Sequence, residues 1–341
     1  MARSPIIRAA GRLRSRVVRY LAARSFSRGF LNTCYSSLST ERRAWVQQRF
    51  SKIFRGYNGT FQEGKWRTEF YGKTILVPLR PQFAALDWDA ALCVLGQDPE
   101  LKQTYASLIQ LASPPRLVLD IGANYGTHSI VFLINRIPVV PFEPNPACHT
   151  FFRLLCEVND VHAPIVPLAM GSGEGSVDLW YPEGLEWLGT TDVDVKERLR
   201  GSLAKTSVRQ TTLDGYIRTS GLSPDILKID TEGTEMQVLQ GAAETLATCR
   251  PIVLFESWQA SDRETLLSFF DQQNYLFAAL PLFGSAPPRV LTAQQFRHDK
   301  ATNFAGLPSE MVSSWPPRFG DREPQAAGQS VSPIPFHAEA Y

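Results

Sequence analysis

No apolar run in the 341-residue chain approaches the roughly 18 residues that a membrane-spanning helix needs, so no segment is expected to cross a bilayer. Cysteine is sparse and scattered. Cys34, Cys93, Cys148, Cys156 and Cys249 include no C-x-x-C pair, which excludes a zinc ribbon or a thioredoxin-like dithiol. The pattern fits reduced thiols and a cytoplasmic protein, with Cys148 and Cys156 as core residues. No internal repeat is evident. Acid is missing altogether from the first 40 residues, where eight arginines (Arg3, Arg8, Arg12, Arg14, Arg16, Arg19, Arg24, Arg28) precede Glu41.

That one-signed stretch conceals the character of the rest, which holds 27 Lys and Arg against 33 acids. A mildly acidic body argues against nucleic acid as the main partner. Residues 1–30 read as an amphipathic helix, with Arg8, Arg12, Arg16 and Arg19 in one quadrant. Ile6, Ala10, Leu13, Val17, Tyr20 and Leu21 fall on the opposite side, while Arg3 and Arg14 break the pattern. Two readings follow: a peripheral contact with a membrane surface or a targeting leader, and a solvated extension.

Four segments are expected: an arginine-rich extension over 1–40, a helical and strand cap over 41–110, a main α/β domain over 111–311, and a disordered Pro-, Gln- and Ala-rich tail over 312–341. The cap carries one strand signal, Lys73–Pro78. In the main domain, strands are expected at Leu117–Ile121, Pro138–Glu143, Pro164–Ala169, Asp225–Asp230 and Ile252–Glu256. Helical periodicity covers Thr127–Asn135, Ala147–Asn159, Glu235–Ala247 and Arg263–Gln273. This alternation predicts a doubly wound, Rossmann-like and mostly parallel sheet, with Tyr275–Leu280 and Asn303–Leu307 closing it as an antiparallel pair. Residues 173–207 interrupt the rhythm and are expected to form a hairpin at Ser176–Trp180 followed by a loop.

Within Asp120-Ile121-Gly122-Ala123-Asn124-Tyr125-Gly126, a buried strand enters a tight turn that opens a helix. Asp120 discriminates among ligands. A pyrophosphate would meet its carboxylate at close range, whereas the ammonium and sulfonium of S-adenosylmethionine would be favoured there. Asn124 also stands where the second glycine of a dinucleotide fingerprint belongs. Glu143, 21 residues after Gly122 and followed by Pro144, suits the hydroxyls of an adenosine ribose. A third cluster, Asp230-Thr231-Glu232-Gly233-Thr234-Glu235, follows the Asp225–Asp230 strand signal, where ligand crevices form in open α/β sheets. Glu235 could simply favour the helix dipole, and no His completes a metal shell, so no metal is expected.

Together these segments resemble the FkbM family of methyltransferases, along with Phe142–Pro146, Ala169-Met170-Gly171-Ser172-Gly173, Thr212-Leu213-Asp214 and Lys228–Glu235. The resemblance covers roughly residues 70–310. It implies a seven-stranded class I fold, S-adenosylmethionine as cofactor, and methyl transfer to a hydroxyl of a sugar, polyketide or related metabolite. Cofactor contacts are then expected from Asp120, Gly122, Ala123, Asn124, Tyr125, Gly126, Glu143, Pro144 and Ala169. Asp230 and Glu232 are the candidates for taking the acceptor's proton or orienting it, with Lys228 able to assist. His128 reads either as a base or as a packing residue. The rivals are a nicotinamide-dependent sugar oxidoreductase, weakened by the lack of any Tyr-x-x-x-Lys pair, and a non-catalytic scaffold at a membrane surface.

Overall fold

The computed structural model describes residues 5–54, 61–183, 188–258 and 260–319, with side chains described from residue 13 onward and not for residues 260–262. The chain forms two compact units, residues 1–102 with 153–161, and residues 103–152 with 162–341. Most of the tail expected over 312–341 lies outside the described residues; a short helix, Ser309–Ser313, runs into its start.

In the first unit the arginine-rich segment makes two helices, Pro5–Ala23 and Ser25–Ser36, broken at Arg24. Strands β1 (Gly64–Phe70) and β2 (Lys73–Leu79) pair as an antiparallel hairpin. Its two-residue turn, Tyr71-Gly72, has positive φ at both positions, matching the twist of the strands it joins. β1 alternates strictly, turning Trp66, Thr68 and Phe70 inward, and Trp66 meets Trp88 of helix Ala84–Gly96 edge-on at 5.1 Å. The sequence reading found β2 and missed β1, whose outward residues Lys65, Arg67 and Glu69 mask its apolar face.

The second unit is built on a six-stranded sheet: β3 (Val118–Ile121), β4 (Val139–Phe142), β8 (Ile226–Ile229), β9 (Ile252–Glu256), β10 (Tyr275–Ala279) and β11 (Asn303–Pro308). Its order is β10-β11-β9-β8-β3-β4, parallel from β9 to β4, with β11 antiparallel to both of its neighbours. The seventh strand position, expected at Pro164–Ala169, is represented by one parallel bridge between Val166 and Phe142. The chain steps from β3 outward to β4, then returns to β8 on the other side, so the order reverses at β3. Crevices for ligands open at such reversals, beyond the carboxyl ends of the strands. Helix Ala260–Gln272 crosses to the antiparallel pair, whose core stacks Phe255, Phe270, Phe277, Phe296 and Phe304.

A second sheet of three strands, β5 (Ala169–Met170), β6 (Gly175–Pro182) and β7 (Leu203–Thr211), holds the order β5-β7-β6. The expected hairpin strand is β6; its partner β7 comes from residues read largely as loop. The helix expected over Glu235–Ala247 is two pieces, Glu235–Gln240 and Ala243–Cys249. Among the described residues no helix is long and apolar enough to cross a membrane.

Candidate active site

β3 and β8 are buried along their whole length, as central parallel strands are, and each carries one charged residue. Those residues, Asp120 and Lys228, are register partners and so project from the same face of the sheet. Lys228 Nζ lies 3.1 Å from Asp120 Oδ1 and 3.4 Å from Asp230 Oδ2, and donates to the Gly122 carbonyl at 3.3 Å. Ser129 Oγ donates to the other Asp120 oxygen at 2.6 Å. A buried charge persists only when paired and hydrogen-bonded, and this network supplies both. Burial pulls the Lys228 ammonium toward its neutral form, but Asp120 and Asp230 outweigh it and hold its pKa above the usual lysine range. With both carboxylates ionised, the trio carries one net negative charge.

The turn after β3 needs its glycines. Gly122 has φ +79°, and a Cβ there would stand 1.8 Å from the Asp230 carbonyl oxygen. Gly126, also at φ +79°, would place a Cβ 2.3 Å from the Phe152 ring. The amides of the turn are occupied: Gly122 and Ala123 donate to the Phe142 carbonyl at 3.0 and 2.9 Å, and Gly126 to the Ala123 carbonyl at 2.8 Å. Asn124, at φ +54°, donates to Glu143 Oε2 at 2.7 Å. A phosphate-binding loop works through free amides converging on an anion. These four are spent within the protein. Tyr125 is buried edge-on against Phe151, 5.2 Å between centroids.

Glu143 follows β4 and accepts backbone donors at both oxygens, Asn124 at Oε2 and Asn145 at Oε1, each at 2.7 Å. Burial pushes its carboxyl up to about 7; the two backbone donors and Lys228 pull the other way. Pro144 is half-buried, and Asn145 accepts from the Ala147 amide at 3.1 Å, capping helix Pro146–Val158 with proline in its first turn.

The loop leaving β8 is held by Glu235, whose carboxylate accepts from the Thr231 amide at 2.9 Å, the Thr231 hydroxyl at 3.1 Å and the Gly233 amide at 3.2 Å. Burial raises the Glu235 pKa. Its work is structural. Glu232 sits at φ +56°, an uncommon conformation for a side chain of this size, and its carbonyl accepts from Thr190 Oγ1 at 2.8 Å. Among the described residues no group of three or more His, Cys, Asp or Glu is arranged to hold a metal. Beside the loop opens a cleft of about 330 Å³, lined by Met170, Ser172, Asp192, Asp194, Gln210 and Gln237 among others.

Asp120, Gly122, Ala123 and Asp230 are thus joined through Lys228 and the Phe142 carbonyl, and Asn124 and Glu143 by their own hydrogen bond. Ala169 stands apart from it, packed in the core of the small sheet with Leu179 and Val208. His128 is buried with Nδ1 2.8 Å from the Tyr105 hydroxyl, a packing arrangement. The sequence reading missed Ser129 and Asn145, and left Lys228 as an optional assistant although it is the hub. The signal for Lys228 was available: a lone charge in a buried parallel strand requires a partner.

Residues 120–277 match the model of the methyltransferase FkbM domain. The chain is 27% identical over 149 residues to hexuronic acid methyltransferase AglP of Haloferax volcanii, a match covering 43% of this chain and 58% of that protein. It is also 27% identical over 184 residues to methyltransferase sdnD of Sordaria araneosa, covering 45% of this chain and 70% of the relative. Among solved structures, methyltransferase FkbM of Methylobacillus flagellatus KT aligns with a TM-score of 0.37 at 14% identity, over 67% of this chain and 55% of that one.

Proposed function

We propose that the chain, whose residues 120–277 match the methyltransferase FkbM domain, is a cytoplasmic enzyme of that family that methylates an acceptor hydroxyl using S-adenosylmethionine. The observation that carries this reading is Glu143. Its carboxylate is fixed by two backbone donors and retains lone pairs for ribose hydroxyls, beside a turn whose amides are already spent. Spent amides disfavour a pyrophosphate and hence the nicotinamide alternative. The net negative charge shared by Asp120, Lys228 and Asp230 suits a cationic ligand.

When bound, S-adenosylmethionine supplies a methyl group on a sulfonium. Glu143 would hold the ribose, and Asp120 and Asp230, tied by Lys228, would balance the cationic end; Gly122 and Gly126 keep the turn in shape. Pro144, next to Glu143 in the chain, would lie near the ribose. Asp230 or Glu232 would take up the acceptor's hydroxyl proton or orient it, and the cleft that reaches the same loop at Thr234 offers the acceptor a place to bind.

The cleft narrows the acceptor class. Asp192 and Asp194 line it with Ser172, Gln210 and Gln237, a set that hydrogen-bonds polyhydroxyl compounds and repels carboxylates. A neutral or amino-bearing sugar, or a metabolite of that polarity, fits better than a uronic acid. The test is calorimetric titration with S-adenosylmethionine and, in parallel, NADH, followed by methyl-transfer assays on neutral, amino and uronic sugars. Heat with S-adenosylmethionine that disappears in Glu143→Ala supports the reading. Saturable NADH binding without it overturns the reading, and turnover of uronic acids alone overturns the acceptor class.

A further inference from the structure

In helix Pro5–Ala23 the described apolar residues Leu13, Val17 and Tyr20 face outward. Leu13, Val17 and Tyr20, spaced i, i+4 and i+7, are 64%, 50% and 55% exposed, whereas the side turned inward presents Ala22, 1% exposed. A globular helix normally does the reverse, burying its apolar face. Exposed Arg14 and Arg16 border the stripe on either side at helical spacing. The next helix, Ser25–Ser36, continues the pattern with Phe26 at 94% and Phe30 at 66% exposure, one turn apart.

The arginines divide by role. Arg19 donates to the Ile53 carbonyl at 2.6 Å. Arg28 is buried and clamps the end of the first helix, donating to the Ala22 carbonyl at 3.0 Å and the Gln62 carbonyl at 2.6 Å. These two belong to the fold. Arg14, Arg16 and Arg24 stay exposed, with Arg24 over the Tyr20 ring at 3.9 Å. No acid occurs before Glu41 to neutralise them.

We propose that the outward face of residues 13–30 is a docking surface for an anionic lipid bilayer, on which the protein lies as a peripheral, non-spanning enzyme. Two observations choose this occupant. Five large apolar side chains in solvent lose water when they enter an interface, and arginines bordering them meet lipid phosphates. Charge complementarity weighs against a second copy of this chain, since two such faces would bring Arg14, Arg16 and Arg24 against their own counterparts.

The test is flotation of the full-length protein with vesicles of phosphatidylcholine alone or with added phosphatidylglycerol. The protein is expected to float with the anionic vesicles at low salt, weakly with the neutral ones, and to be released as salt rises. A variant carrying Leu13→Ser, Val17→Ser, Phe26→Ser and Phe30→Ser should stay at the bottom of the gradient while keeping its S-adenosylmethionine titration heat and far-ultraviolet spectrum. Arg14→Glu with Arg16→Glu should weaken partitioning more than tenfold, at about fivefold for each arginine. Flotation of the four-serine variant equal to the parent overturns the proposal, as does a parent that ignores both vesicles. A parent dimer that the four-serine variant converts to monomer, without vesicle binding, would assign the face to a second copy and overturn it as well.

Discussion

Asp120 and Lys228 stand opposite each other on adjacent parallel strands, 3.1 Å apart and almost wholly out of solvent. Removing one partner leaves the other charge buried without compensation, which costs about 3–5 kcal/mol. Lys228→Met is therefore expected to lower unfolding free energy by about that amount in urea titration. The double variant Asp120→Asn with Lys228→Met should be more stable than Lys228→Met alone, because the stranded charge is gone. A double variant no better than the single would place the cost in lost packing instead.

Glu143 makes the protein sensitive to pH near neutrality. Its folded pKa is about 7, raised by burial, against about 4.3 in an unfolded chain. The folded state therefore holds this proton more tightly, so its stabilising contribution is complete below about pH 4 and is lost as pH rises through about 7. Cofactor binding should run the other way, since ribose hydroxyls need the carboxylate: affinity is expected to rise as pH climbs from about 6 to about 8. Calorimetric titration across that range checks it, and Glu143→Gln should flatten the profile. An unchanged slope in Glu143→Gln would assign the proton to another group.

Gly122→Ala tests the turn. The new methyl would lie 1.8 Å from the Asp230 carbonyl oxygen on a backbone at φ +79°. Both the contact and the conformation are forbidden, so β3 and the loop after β8 must separate. The expected result is loss of S-adenosylmethionine binding with thermal unfolding lowered by several degrees; Gly221→Ala, at φ +68° but facing open space, is the control for backbone strain alone.

Asp230→Asn separates holding from chemistry. Asp230 lies at the exit of β8, its side chain 26% exposed. Turnover on an identified acceptor is expected to fall about 10²-fold or more, well beyond the weaker cofactor binding that follows from losing one of the two carboxylates beside Lys228. Steady-state kinetics beside a titration distinguish this from a uniform loss of binding. Full activity in Asp230→Asn leaves Glu232 as the proton acceptor.

The parallel half of the sheet was legible because buried central strands are continuous apolar runs, and Val118–Ile121, Ile226–Ile229 and Ile252–Glu256 stand out from their surroundings. So was the identity of Glu143 as a strand-end acid. β7 was not, because Leu203–Thr211 alternates polar residues such as Lys205, Ser207 and Arg209 at a half-buried surface, and its partner β6 is distant in sequence. The occupied amides of the glycine turn were equally hidden: the spacing of Gly122 and Gly126 says where a turn falls, and only the Phe142 carbonyl decides where its donors point. The single helix expected over residues 1–30 is broken at Arg24, and periodicity carries no information about which side of a helix meets the protein.

Strand β11 has a consequence for how the chain assembles. It lies between β9 and β10 and is the sole strand joining them, yet residues 303–308 are made last of the sheet. During synthesis β9 therefore waits with an unpaired edge while β10 and the long segment after it emerge, an interval in which that edge is open to other chains. For the same reason a fragment cut at residue 277, where the family match ends, would truncate β10 and lack the strand that joins it to β9.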